Sequence, residues 1–140
     1  MLQRQWKYKN SIMKSTSGPS VPAVNDVNRI AEGTTLQGNI VTHSDIRIDG
    51  TLIGDIVTLG KLVVGENGKL TGKIICRNSD IYGKTTGDIL ASHSASFRSK
   101  SVYKGNLKTI HIGIEIGASF TGNCSILSKE EAGKIFEGYF

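Results

Sequence analysis

Three histidines, two cysteines and a Gly-Lys-Thr triplet are the residues of this chain whose types and spacing could carry chemistry. His43, His93 and His111 are candidate metal ligands or proton carriers, because a neutral imidazole binds metal and titrates near neutrality. No carboxylate cluster or third ligand accompanies them by spacing, so all three read as solvated turn residues. Gly83-Lys84-Thr85 looks like the close of a phosphate-binding loop. That motif needs a glycine five places earlier and a helix after it; Asn78 stands where the glycine should be, and no helical pattern follows. The expectation is therefore no catalytic residue, no cofactor site and no metal site. A different chemistry is offered by the first fourteen residues, where Leu2, Trp6 and Tyr8 alternate with Arg4, Lys7 and Lys9. Trp and Tyr favour the membrane–water interface, and bases are drawn to anionic lipid at about 1 kcal/mol each.

Charge and composition narrow the class. The chain has 140 residues, 17 glycines, two prolines and a net charge of +5. Residues 1–20 hold four bases and no acid, whereas residues 21–127 hold 11 bases and 9 acids, and 128–140 hold 2 bases and 3 acids. The basic excess thus sits mainly in the N-terminal tail, and no nucleic-acid-binding face is implied. No stretch approaches the roughly 20 apolar residues of a membrane span. The N-terminus lacks the contiguous apolar region of a secretory signal, and two cysteines do not make a disulfide framework, so the cytoplasm is the expected compartment.

The elements that must position these residues are set by an internal repeat. Glycines recur at 38, 54, 72, 87, 105 and 122, at intervals of 16, 18, 15, 18 and 17 residues. Two residues before each stand Leu36, Leu52, Leu70, Thr85, Tyr103 and Phe120; two residues after stand Ile40, Ile56, Ile74, Ile89, Leu107 and Cys124. Side chains alternate along a strand, so these positions share one face with the glycine. The opposite face carries Asn39, Asp55, Lys73, Asp88, Asn106 and Asn123. Further strands are expected at 46–48, 62–64, 80–82, 95–97 and 114–116. About 17 residues per repeat hold three short strands and their corners, and such strands gain stability only by stacking on their copies. The expected fold is all-β, a single-stranded parallel β-helix of about six windings. Cys76 and Cys124 fall at inward positions three windings apart, too far for a disulfide, and are expected as free thiols in the core.

Segments 46–56 (IRIDGTLIGDI), 61–74 (KLVVGENGKLTGKI) and 117–124 (GASFTGNC) resemble the bactofilin domain, over about residues 30–127. The resemblance implies a right-handed, triangular β-helix that polymerises end to end without a nucleotide. It also implies attachment to the inner face of the cytoplasmic membrane through a short N-terminal segment, and a role in organising cell-wall enzymes and cell shape. Phe120 matches an aromatic position near the family's C-terminal polymer contact. Leu36 and Ile40, inward residues of the first repeat, are the corresponding expectation at the other end.

The expected layout is a basic and aromatic tail (1–14), a flexible linker (15–29), the β-helix (30–127) and a C-terminal tail (128–140). Self-assembly has its own physical basis, because an uncapped solenoid exposes unpaired backbone groups and its apolar cross-section. Ser128 and Glu131 form a capping-box signature for a short helix near 129–137, which would either close the C-terminal end or remain a free or partner-binding tail. The competing readings are a monomeric adaptor with capped ends and a hexapeptide-type β-helix acyltransferase. The second would demand strict six-residue spacing, and intervals of 15–18 argue against it.

Overall fold

The structure, a computed structural model, describes residues 27–139. The chain coils as three-strand windings. The first is β1 (Val27–Ile30), β2 (Thr35–Gln37) and β3 (Ile40–Thr42), and the second β4 (Asp45–Ile48), β5 (Thr51–Ile53) and β6 (Ile56–Thr58). Then follow β7 (Lys61–Val64), β8 (Lys69–Thr71), β9 (Ile74–Ile81), β10 (Lys84–Thr86), β11 (Ile89–Phe97), β12 (Val102–Ile114) and β13 (Ser119–Ile126). The longer strands run on around corners and serve two sides of the solenoid. Every pairing is parallel and joins a strand to its copy in the next winding, as in Leu36↔Leu52↔Leu70 and Ile40↔Ile56↔Ile74. Six windings with three sides result, a triangular parallel β-solenoid.

In-register parallel stacking points equivalent side chains the same way, so the interior is built from columns of like residues. Ile46, Ile48, Leu52, Ile56, Leu62, Val64, Leu70 and Ile74 are buried in the core, and Cys76, Ile81, Ile89, Ala91, Phe97, Tyr103 and Leu107 continue it. Small and hydroxylated members fill the corners: Thr58 donates to the Ser44 carbonyl at 2.7 Å and Thr109 to the His111 carbonyl at 3.3 Å. Outside, Asp49 holds Arg29 and Arg47, and Asp80 holds Lys61 and Arg98, so ion pairs link the windings.

The glycine column does something the alternation alone did not indicate. Each of the six has positive φ, from 127° to 151°, and stands at a corner between two sides rather than within one extended strand. A Cβ on Gly54 would run into the Gly38 carbonyl, and one on Gly87 into the Gly72 carbonyl. The constraint is therefore the winding below, not the facing wall of the interior.

Three sequence expectations shift. Residues 27–29, inside the expected linker, already belong to the solenoid, because Val27–Ile30 pair in register with Asp45–Ile48 and the Asn28 amide donates to Thr42 Oγ1 at 3.1 Å. The strand expected at 114–116 ends at Ile114, which is paired with Phe97, and leaves Ile116 in an exposed turn. The C-terminal helix α1 (Lys129–Lys134) has the expected box, with the Ser128 hydroxyl accepting from the Glu131 backbone N–H and the Glu131 carboxylate from that of Ser128. It packs beside β11 and β12, not over the end of the last winding.

Candidate assembly surfaces at the two ends

The residues that could carry chemistry are placed by this coil, and most are dispersed. Gly83 lies in a turn and Thr85 is buried on β10, so no helix follows to complete a phosphate loop. His93 sits where β11 carries one more residue than its neighbours, and its ring meets His111 edge-on at 5.5 Å. Among the described residues no group of three or more His, Cys, Asp or Glu is arranged to hold a metal ion. Cys76 is fully buried, and burial pushes its thiol up to about 12. Cys124 differs from expectation: it stacks in register on Leu107 and points along the core column, but it is exposed. Among the described residues no further winding lies above it.

The same reason governs both ends. Among the described residues β1, β2 and β3 each pair with one neighbour only, and so do β13 and the last stretch of β12. Their outer backbone N–H and C=O groups find no ladder partner among the described residues, and strand edges of this kind template further pairing. The N-terminal face presents Ile30 and Ile40, half-buried, and Leu36, which is 37% exposed, whereas their in-register partners Ile48, Ile56 and Leu52 are wholly buried. The C-terminal face presents Ile112, Phe120, Cys124 and the 62%-exposed Ile126, with Ile114 beside them.

Phe120 is anchored from below. It pairs with Tyr103, its ring centroid lies 5.1 Å from that of Tyr103, and it meets Phe97 edge-on at 5.4 Å. The Tyr103 hydroxyl donates toward the Gly87 carbonyl at 2.7 Å and lies 3.0 Å from that of Asn106. Burial is the main reason its phenol is held well above its usual range. One side of the Phe120 ring thus packs on a fixed aromatic floor while the other faces out of the solenoid. Phe120, Leu36 and Ile40 all lie on the end faces. Sequence reasoning missed Ile30, Ile112, Ile114 and Ile126 as end residues, although membership of the first or last repeat with inward phase was a usable signal for Ile126. The N-terminal residues Leu2, Arg4, Trp6, Lys7, Tyr8 and Lys9 lie outside the described residues. Among the described residues no helix is long and apolar enough to cross a membrane.

A triangular parallel solenoid with a section of its apolar core presented at each end fits a polymer-forming class of protein. The bactofilin family of polymer-forming cytoskeletal proteins matches residues 28–125, and the chain belongs to that family. It is similar to bactofilin BacO of Myxococcus xanthus (strain DK1622), at 33% identity over 101 residues that cover 72% of this chain and 80% of that one. It is also similar to the Thermus thermophilus bactofilin seen by cryo-EM in double helical filaments, with a TM-score of 0.68 and 25% identity over 71% of this chain and 99% of that chain.

Proposed function

We propose that the chain assembles end to end, without a nucleotide, into filaments that lie on the inner face of the cytoplasmic membrane and organise cell-wall or cell-shape machinery. The observation that carries the assembly step is the pair of end faces. Each carries both an unsatisfied backbone ladder and an exposed section through the apolar core. Docking a second copy there continues both at once, with the hydrophobic term scaling with the area removed from water. The occurrence of the Thermus thermophilus relative in filaments supports this reading. Membrane attachment rests on the aromatic and basic pattern of residues 1–14, and the wall-organising role on family membership.

Phe120→Arg tests the assembly step. An arginine on the aromatic floor would need to be desolvated in the joint, whereas in the monomer it reaches water. The variant should remain folded by circular dichroism and sediment as species no larger than a dimer. Filaments of undiminished length by negative-stain microscopy would remove Phe120 from the interface. Ile40→Arg makes the same test at the N-terminal face.

A further inference from the structure

One row of side chains points away from the core yet is not solvated throughout. At the third position after each corner glycine stand Val41, Val57, Ile75, Leu90, Lys108 and Ser125. They alternate with the inward Ile40, Ile56, Ile74, Ile89, Leu107 and Cys124, and therefore face outward. Even so, Val57 is only 6% exposed and Ile75 3%. The C-terminal segment covers them. Leu127 and Ala132 are buried, α1 packs on β11 and β12, Ile135 and Phe136 are half-buried, and Tyr139 lines a cavity together with Val41, Val57 and Ile75. After its last winding the chain thus turns back and runs along its own flank from the C-terminal toward the N-terminal end. Cover is complete in the middle of the row and stops short of Val41, which remains 59% exposed.

We infer that residues 127–139 form a side strap whose docking keeps the Val41–Val57–Ile75–Leu90 row from joining the same row on a second filament of this chain. Three features fix a second copy as the occupant. The row is continuous with the N-terminal assembly face, since Val41 adjoins Ile40 on β3, so subunits joined there bring their rows to the joint. Windings repeat about every 4.8 Å, which makes four apolar residues in successive windings a narrow ridge parallel to the solenoid axis. A ridge repeated in every subunit turns a weak lateral contact into a strong one by multivalency. Contiguous apolar patches left exposed on a surface mark sites of protein–protein contact. The strap is also made to detach. Its helix has six residues, Gly133 interrupts it, and it depends on the Ser128–Glu131 box; helices this short are marginal alone.

The inference rests on the end-to-end assembly proposed above, and the experiment separates the two. The full chain and a chain ending at Ser128 are polymerised side by side. The full chain should give thin filaments that stay in the supernatant at low centrifugal force. The shortened chain should give bundles several filaments wide that pellet there. Adding Val57→Lys and Ile75→Lys to the shortened chain, where both side chains face water, should restore thin filaments. Equal widths with and without the strap would overturn the inference. So would bundles that survive the two lysines, or loss of filaments from a shortened chain that is still folded, which would place the segment in the end joint. If neither chain polymerises, the assembly reading fails instead. The strap is then judged by whether the shortened monomer, unlike the full chain, dimerises in a manner abolished by the two lysines; a shortened chain that stays monomeric would overturn it.

Discussion

Two cysteines of equal inward phase end in opposite environments, and the difference is a single missing neighbour. Cys76 has windings on both sides; desolvation holds its thiol at about 12, so it stays protonated and unreactive at pH 8. Cys124 has Leu107 below, no strand above it among the described residues, and is exposed. A maleimide added to monomeric protein at pH 8 should therefore modify one thiol per chain, at Cys124, with Cys76 modified only after denaturation. Once filaments form, labelling of Cys124 should fall at least several-fold if the C-terminal face is the joint. Unchanged labelling in the polymer, read by mass spectrometry of the modified peptides, would place the joint elsewhere. Phe120 teaches the related lesson that a residue can be core and interface together: Tyr103 and Phe97 fix its ring from below, and the upper side is left for a partner.

Among the elements, α1 is the one whose stability is set locally. Its buried contacts are few, and its N-terminus is held by the reciprocal Ser128–Glu131 bonds at 3.1 and 3.0 Å. Removal of an N-cap hydroxyl usually costs about 1 kcal/mol, a large part of what a six-residue helix can have. Ser128→Ala should accordingly speed tryptic cleavage at Lys129 and Lys134 several-fold while leaving the β-solenoid's thermal unfolding unchanged. Glu131 adds a pH dependence. Its carboxyl is held below its ordinary value of 4.5, chiefly by the hydrogen bond from the Ser128 backbone N–H, with Lys108 adding a smaller attraction. A carboxyl so depressed stabilises the native state above pH 4.5, and that contribution is lost as pH falls through the lower folded value. Strap cleavage by an acid-active protease should thus rise below pH 4.5 in the native chain, and much less in Glu131→Gln. An equal acid response in the two would assign the loosening to other groups.

For the whole molecule, the ends decide behaviour because the middle is self-sufficient. Windings two to five satisfy their backbone on both sides, so stability accrues by stacking, and among the described residues the first and last windings retain unmet pairing. A filament removes that deficit at every joint. It also multiplies any weak attachment carried by each subunit, which is the physical route by which a tail with four bases and a few aromatics could hold a polymer on anionic lipid. Deleting residues 2–14 should leave filaments intact and abolish their co-sedimentation with vesicles containing anionic phosphatidylglycerol. Binding of full-length filaments should weaken as salt rises through the Debye-screening range. Equal pelleting of deleted and full-length polymer would remove the membrane reading and leave assembly untouched.

The recurring glycine with its flanking Leu, Ile and Tyr residues determined the solenoid by itself. Inward phase at a 15–18-residue interval has few other realisations, and it also dissolved the Gly83-Lys84-Thr85 motif into a turn and a core threonine. Periodicity identifies a column of residues but carries no information about its edges. Hence Cys124, of inward phase, is exposed, and Val27–Arg29, of linker composition, are a strand held by pairing to β4. Nor could local pattern show where the final residues go. The Ser128–Glu131 box announced a helix, but its seat against the flank depends on Val57, Ile75 and Leu90 being aligned by three separate windings. Only the tertiary structure brings those residues, each 15–18 positions from the next, into one surface, because their adjacency comes from stacking and not from the chain.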